Sequence, residues 1–473
     1  MTDEARPAAW ARWLLLAAVA LAGATSFAGG YVNDDWRVLV DDPRVQSLAA
    51  WWGAMPGIRP LLKLSYALNH QSGLGLAGFH AVNLLIHAGA ALLVHALLLR
   101  LERRGDPAAP PGGAALLGAL IFALHPVQTE AVTYLSGRSA SLAGMLALGS
   151  ALAWLEAREW VGRERGGWWW PLLSAGLFAA ALGVKEYVMV LPMALLLMEA
   201  ADPRRPFSAR RALAAAVPHG LVLAGAAALV LSSPTYRWLL GAGSSLRSFG
   251  TNLLTHLEAV TWLAGQLVRP WHLCAEPGLR PVTALTPGLA ALGLLLAGLV
   301  LVGCWQLRRR PAAGLAILWF LLWLAPTGWL VPRGDPASER QLYLALLGPA
   351  WLAGRALAAW AGAAPPRRLA VAALVLALGA GFAARGLVYR DELAFWGDAA
   401  AKVPASARSW NNLGVALAEA CRTGEGERAF ERALRADPAY LRAGLNLALL
   451  RQGGEVAPGP DGRCRFPPPP VPE

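Results

Sequence analysis

Lysine is almost missing from this sequence: Lys63, Lys185 and Lys402 are the only three in 473 residues. Charge of any kind is scarce, at 15% against 56% hydrophobic residues, whereas a soluble globular chain carries nearer a quarter. That shortage excludes an ordinary soluble domain. Apolar runs throughout the chain and a mean hydropathy of +0.43 identify a polytopic membrane protein instead. The basic side is nearly all arginine, clustered between apolar runs as the positive-inside rule predicts. The formal charge of +12 is therefore no nucleic-acid footprint, and no nucleic-acid partner is expected. Cysteine is scarce too. Cys274, Cys304, Cys421 and Cys464 make neither a CxxC pair nor a metal spacing, which argues against a metal-binding module. A bridge between Cys421 and Cys464 is conceivable but is not favoured.

What is present is a succession of apolar stretches, each to be measured against the roughly 20 residues that cross a bilayer. The first, residues 13–28, resembles a signal peptide, but "FAGGYVNDD" is a poor cleavage site, so it reads as a retained helix. Expected spans are 11–28, 78–99, 114–126, 139–157, 168–184, 186–200, 212–232, 283–304, 313–331, 341–361 and 369–388. Segment 251–268 carries Asn252, His256 and Glu258 and is expected to lie in the outer interface. Arginine clusters follow Arg6, Arg100, Arg158, Arg204, Arg308 and Arg367. Placing all of them in the cytoplasm requires about eleven spans, a cytoplasmic N-terminus and an outer C-terminus.

In that orientation the adjacent carboxylates of "YVNDDWRVLV", Asp34 and Asp35, open an outer loop that runs to about residue 77. Arg59, Arg138, Lys185 and Arg340 sit at membrane depth on the same face. A single cation at a span end ordinarily snorkels to the headgroups. Four beside acidic neighbours look more like a phosphate site.

After residue 390 the hydropathy drops and a repeat begins. Asn412 and Leu413 recur as Asn446 and Leu447, 34 residues on, beside Trp-x2-Leu-Gly at Trp410 and "AFERALRADPAY". That period and pattern are the tetratricopeptide (TPR) signature, helical hairpins stacked around a shared core with a concave groove. The expected domains are a membrane domain over 1–390, a short TPR domain over 391–453 and a disordered proline-rich tail over 454–473.

Polar residues inside apolar segments mark the chemistry. "GFHAVNLLIHA" spaces His80, Asn83 and His87 along one helix face, which must point inward. "ALHPVQTEAVTYLSGRSA" holds His125, Glu130 and Arg138, "LGVKEYVMVLP" holds Lys185 and Glu186, and "PASERQLYLALLG" holds Glu339, Arg340 and Tyr343. Charges between two crossings need partners.

In order, "DDWRVLVDDPRV", "RPLLKLSYALNH", "GFHAVNLLIHA", "LHPVQTEAVTYLSGRSA", "VKEYVMVLP" and "SERQLYLALLG" resemble the motifs of one family. These are the transmembrane and TPR-containing protein O-mannosyltransferases and their bacterial relatives, in the GT-C glycosyltransferase superfamily. The resemblance covers most of the chain. It implies an all-α, GT-C-like helix bundle followed by an extracytoplasmic TPR domain, in a bacterial inner membrane. It also implies a polyprenyl-phosphate sugar donor, catalysis at the outer face and a first-loop acid as base. Asp34 and Asp35 match that motif, with Asp34 favoured as base and Asp35 as its partner. A carboxylate must take the acceptor's proton, and cations must hold the leaving phosphate. Arg59, Arg138, Lys185 and Arg340 are assigned to the phosphate. His80, Asn83, His125, Glu130, Glu186, Glu339 and Tyr343 are assigned to support or to the acceptor. The TPR array is far shorter than in the animal members, so the acceptor hydroxyl belongs to a protein or a glycan, and nothing specifies mannose. No cofactor is assigned. The carboxylates could hold Mg²⁺ or Mn²⁺, but no ligand set marks a metal site. The competing reading is a non-catalytic scaffold whose TPR groove binds an envelope protein.

Overall fold

The computed structural model describes residues 6–55, 57–105, 112–160, 169–204, 207–327, 332, 334–452, 464 and 466. All regular elements among them are helices. In chain order they are α1 (Arg6–Gly23), α2 (Leu48–Gly53), α3 (Pro60–Gln71), α4 (Gly75–Gly105), α5 (Gly113–Leu124), α6 (Thr129–Val132) and α7 (Arg138–Trp160). There follow α8 (Trp169–Val184), α9 (Leu191–Ala200), α10 (Ala209–Ser232), α11 (Pro234–Leu246), α12 (Phe249–Val268), α13 (Pro287–Arg309) and α14 (Pro311–Leu324). The last are α15 (Leu342–Ala345), α16 (Leu347–Gly362), α17 (Pro365–Gly386), α18 (Glu392–Lys402), α19 (Ala407–Glu419), α20 (Thr423–Ala436) and α21 (Leu441–Arg451).

Six helices are long and apolar enough to cross a membrane, or up to eight if each of two bent pairs counts as one span. The expectation of about eleven is thus not met among the described residues. The reason is that apolar composition does not guarantee an unbroken helix. The stretch at 186–200 opens with a 3₁₀ turn and leaves only ten residues for α9, while α8 and α14 have 16 and 14. Segment 233–250 holds α11, capped by Ser233. Segment 251–268, expected in the outer interface, is α12, which buries a stripe from Asn252 through His256 to Gln266.

Two breaks matter most. Helix α5 stops at Leu124 because His125 precedes Pro126, and a residue before proline is driven out of the α region; His125 has ψ 127°. The chain resumes through α6, bent 51° from α5. Between 339 and 362 a second pair is bent by 59°. Each break exposes short backbone segments and polar side chains within the protein, which is tolerated only where protein satisfies them. Gly137 allows close packing here: a Cβ on it would lie 2.0 Å from the carbonyl oxygen of Glu130.

Away from these breaks, arginines in the last turns of α4 and α7 and in α16 are held by ion pairs. Arg104 meets Glu159 at 2.9 Å, Arg355 meets Glu102 at 2.6 Å, and Arg100–Glu156 and Arg158–Glu199 are further pairs.

The C-terminal helices α18–α21 form antiparallel hairpins. Asp391 caps α18 through the Ala394 N–H, and Ser406 caps α19 through that of Ser409. Gly414 lets α19 close on α20, since a Cβ there would sit 2.5 Å from the Phe430 ring. Phe466 stacks on Phe430. A buried cluster of Val32, Tyr134, Tyr389, Phe395 and Trp396 joins this layer to the first loop. The expected tail at 454–473 lies outside the described residues except for Cys464 and Phe466. Cys464 is disulfide-bonded to Cys421, so the bridge that was not favoured from sequence is present. Spacing alone could not signal it; the fold of α19 and α20 brings Cys421 to the returning chain.

The bridge spans 43 residues, for which loop-closure entropy gives about 4 kcal/mol. Cys421→Ser should therefore lower the denaturation midpoint of the C-terminal layer, and a reducing agent should shift the wild type to the same midpoint. A reductant-insensitive wild type in differential scanning fluorimetry would count against the bridge.

Candidate active site

The two adjacent aspartates part company at once. Asn33 takes a left-handed φ of 49°, which Asn tolerates better than most residues, and Asp34 and Asp35 then meet different surroundings. Asp35 is fully buried. Its Oδ1 accepts the Ser136 N–H at 2.7 Å and its Oδ2 the Val32 N–H at 3.3 Å. Burial pushes its carboxyl up to about 7 despite those two donors. Asp34 stays 40% exposed, 3.3 Å from Arg37, and its N–H donates to the Tyr134 hydroxyl at 3.0 Å. It lines a narrow cavity of about 20 Å³ with Glu130, Tyr134, Ser338 and Arg340.

The two bent spans supply the facing wall. Glu130, from α6, accepts the Ser338 hydroxyl at 2.6 Å and the Arg340 N–H at 3.0 Å. Arg340 also brings its Nε to 3.6 Å from Glu130 and lays its guanidinium 5.8 Å from the Tyr134 ring centre. At 24% side-chain exposure it still faces the cavity, within electrostatic reach of Asp34. Arg59, at a left-handed φ of 51°, makes a two-pronged ion pair with Glu186 at 2.9 and 2.8 Å and interacts electrostatically with Arg340. Non-glycine residues held in that region of backbone space often mark functional sites.

Other expected site residues lie elsewhere. Arg138 is wholly buried and its N–H groups are committed: Nε to Asn83 at 2.5 Å, Nη1 to the Ser65 carbonyl at 3.1 Å and Nη2 to the Phe79 carbonyl at 3.0 Å. It stacks over Tyr66 and ties α3, α4 and α7 together. A guanidinium so engaged serves as a strut between helices. Lys185 is buried and donates to the Ser139 hydroxyl at 3.1 Å. His80 meets the Gly29 carbonyl at 3.1 Å, and Asn83 donates to that of Val132. His87 lies between the Tyr343 hydroxyl and the Ala123 carbonyl. The polar face of α4 does point inward, as its spacing requires. His125 caps the turn after α5, accepting the Val127 N–H, and its other ring nitrogen meets the Leu267 carbonyl. Glu339 is buried 3.7 Å from Arg385, which holds Asp398 of α18 at 2.6 Å. Among the described residues no three His, Cys, Asp or Glu side chains group to hold a metal.

Sequence reasoning missed Tyr134 and Ser338, which line the cavity, and Arg385, which links it to the C-terminal layer. The motif strings contained the first two, but neither is charged. Arg385 was detectable as a lone charge at the end of an apolar run.

No family model matches the chain, and no solved structure matches it. Curated proteins do match over part of it. Protein O-mannosyl-transferase TMTC4 of Mus musculus is 31% identical over 206 residues, 38% of this chain and 28% of the relative. Protein O-mannosyl-transferase Tmtc2 of Drosophila melanogaster is 34% identical over 176 residues, 37% of this chain and 17% of the relative. Protein O-mannosyl-transferase TMTC1 of Mus musculus is 32% identical over 201 residues, 36% and 20% respectively. The chain thus spans less than a third of the length of these relatives.

Asp35 sets a pH dependence. Below about pH 4 it is protonated whether folded or unfolded. As pH rises towards 7 the unfolded chain releases that proton while the folded chain retains it, so the stabilisation is progressively lost. A shift of this size corresponds to something on the order of 4 kcal/mol. The wild-type melting temperature should fall between pH 4 and 7, and Asp35→Asn should flatten that fall. An identical slope in the variant would assign the titration to another group.

Proposed function

Because the chain is a relative of the transmembrane and TPR-containing O-mannosyltransferases, we propose that it is a membrane glycosyltransferase. In this reading it moves a sugar, mannose by analogy with the relatives' names, from a polyprenyl-phosphate donor to the hydroxyl of a protein Ser or Thr. The observation that carries the proposal is the placement of Asp34, an accessible carboxylate in a narrow cavity, opposite an arginine held by Glu130.

Asp34 accepts the acceptor's proton as the hydroxyl oxygen attacks the anomeric carbon. The bond from that carbon to the phosphate oxygen breaks, and its electron pair leaves with the phosphate. Arg340, with Arg59 nearby, meets the charge as it develops. Asp35 lies on the buried side of the same turn, where its raised proton affinity lessens the repulsion that two adjacent charges would impose. Its bond from the Ser136 N–H fixes the first loop against the turn before α7, while the bond from the Val32 N–H closes the loop's own turn. Arg138 and Lys185 are given a different part from the phosphate role expected of them: they hold the walls of the site rather than the donor.

In this reading the site faces the outer side of the membrane, with the C-terminal hairpins, taken as TPR units, on the same side. The Cys421–Cys464 bridge supports that placement, because disulfides persist in oxidising compartments.

Purified protein supplied with polyprenyl-phosphate mannose, and separately with the glucose donor, tests the reading. Asp34→Asn should cut sugar transfer by about 10²–10⁴-fold, and Arg340→Gln by about 10²–10³-fold, with melting temperatures retained. Wild-type turnover by Asp34→Asn would retire the mechanism. No turnover of either donor by the wild type would favour the scaffold reading.

A further inference from the structure

Next to the Asp34 cavity lies a larger one, of about 220 Å³, between outer loops of the membrane portion and the C-terminal layer. One side is formed by residues 276–280 and 334–337. The other is formed by residues 405–408, at the end of the α18–α19 turn and the start of α19, with Asp437 and Tyr440 from the α20–α21 turn. Glu276, Pro277, Asp335 and Ala337 line both cavities, so the two adjoin along two short stretches of backbone. Arg408 reaches from α19 to both stretches, 2.5 Å from Asp335 and 3.3 Å from Glu276.

The chemistry of the lining narrows the occupant. Glu276, Asp335 and Asp437 accept hydrogen bonds, while Arg280 and Arg408 donate them. A polypeptide backbone offers both N–H and C=O groups at every residue. A phosphate would meet three carboxylates, and a lipid tail would have to lie against the charged groups of Glu276, Arg280, Asp335, Arg408 and Asp437. Size points the same way. Sites that enclose a whole small molecule run to roughly 300–1,000 Å³, so this cavity suits a chain crossing it rather than a ligand swallowed by it. The adjoining space of about 20 Å³ at Asp34 has room for the hydroxyl of an acceptor side chain.

We propose that an extended segment of the acceptor polypeptide lies across the cavity between residues 276–280, 334–337 and 405–408, and presents its Ser or Thr through the narrow cavity to Asp34. The acceptor is thereby read jointly by the membrane portion and the C-terminal hairpins. The proposal rests on the glycosyltransferase reading for its chemistry, but the binding surface stands apart from it.

The test uses the full chain in detergent with a pooled library of nine-residue peptides, each with a central Ser or Thr. A photoreactive benzoylphenylalanine at Ala405, an exposed residue of the cavity lining, should cross-link the peptides. Ala405→Trp, which fills the cavity, should raise the peptide KM about tenfold or more with little change in kcat. Its melting temperature checks that the variant is folded. Sugar release without peptide cross-linking, or an unchanged KM in Ala405→Trp, would overturn the groove and leave the enzyme reading intact. Cross-linking of a mannan oligosaccharide in place of the peptides would also overturn it, in favour of a glycan acceptor. Peptide cross-linking that excess unlabelled peptide competes away, with no turnover of either donor, would support the groove while the enzyme reading fails. Neither cross-linking nor turnover would sink both.

Discussion

Glu130 holds the candidate site together. Its carboxylate receives the Ser338 hydroxyl and the Arg340 N–H, so one buried side chain joins two interrupted helices more than 200 residues apart in sequence. A helix broken inside a membrane protein leaves polar backbone that lipid cannot satisfy. A buried carboxylate is equally costly without donors. Each defect answers the other, and the result is a polar interior at the level of the cavity. The same contact aims Arg340, because the residue whose N–H is held also carries the guanidinium that faces Asp34.

The first loop is organised by a related economy. Two neighbouring carboxylates in one cavity would repel each other, but the left-handed turn at Asn33 sends Asp35 inward to two backbone N–H groups and leaves Asp34 outward. The second layer of the structure is tied in by further charges. Arg385 lies between Glu339 of the bent span and Asp398 of α18, and Lys402 reaches Asp398 and the Leu273 carbonyl. The C-terminal hairpins are therefore coupled to the residue next to Arg340 and not merely appended.

Several residues marked by their charge turned out to be struts. Arg138 donates to Asn83 and to two backbone carbonyls, and Lys185 donates to Ser139. Charge inside an apolar segment was a sound signal that each has partners. The identity of those partners was not legible, since Ser65, Phe79 and Ser139 carry no mark in the sequence that assigns them to a cation. The same holds for the number of spans. Hydropathy reads composition over a window, whereas helix continuity depends on local geometry such as the His125–Pro126 step. Runs that were apolar enough were therefore too short or too bent to count as single crossings.

The sequence by itself determined that the chain is helical and rich in apolar spans, that its first loop, the 123–140 segment and the 336–348 segment carry polar and charged residues, and that a 34-residue period follows residue 390. These are properties of composition and spacing, which act locally. Tertiary structure decided which aspartate meets the cavity, which cations face it, that Cys421 finds Cys464, and that the C-terminal hairpins share a wall with the site. Those outcomes depend on burial and on donors contributed by distant segments. Burial and long-range pairing exist only once the chain has packed, which is why no local pattern could have announced them.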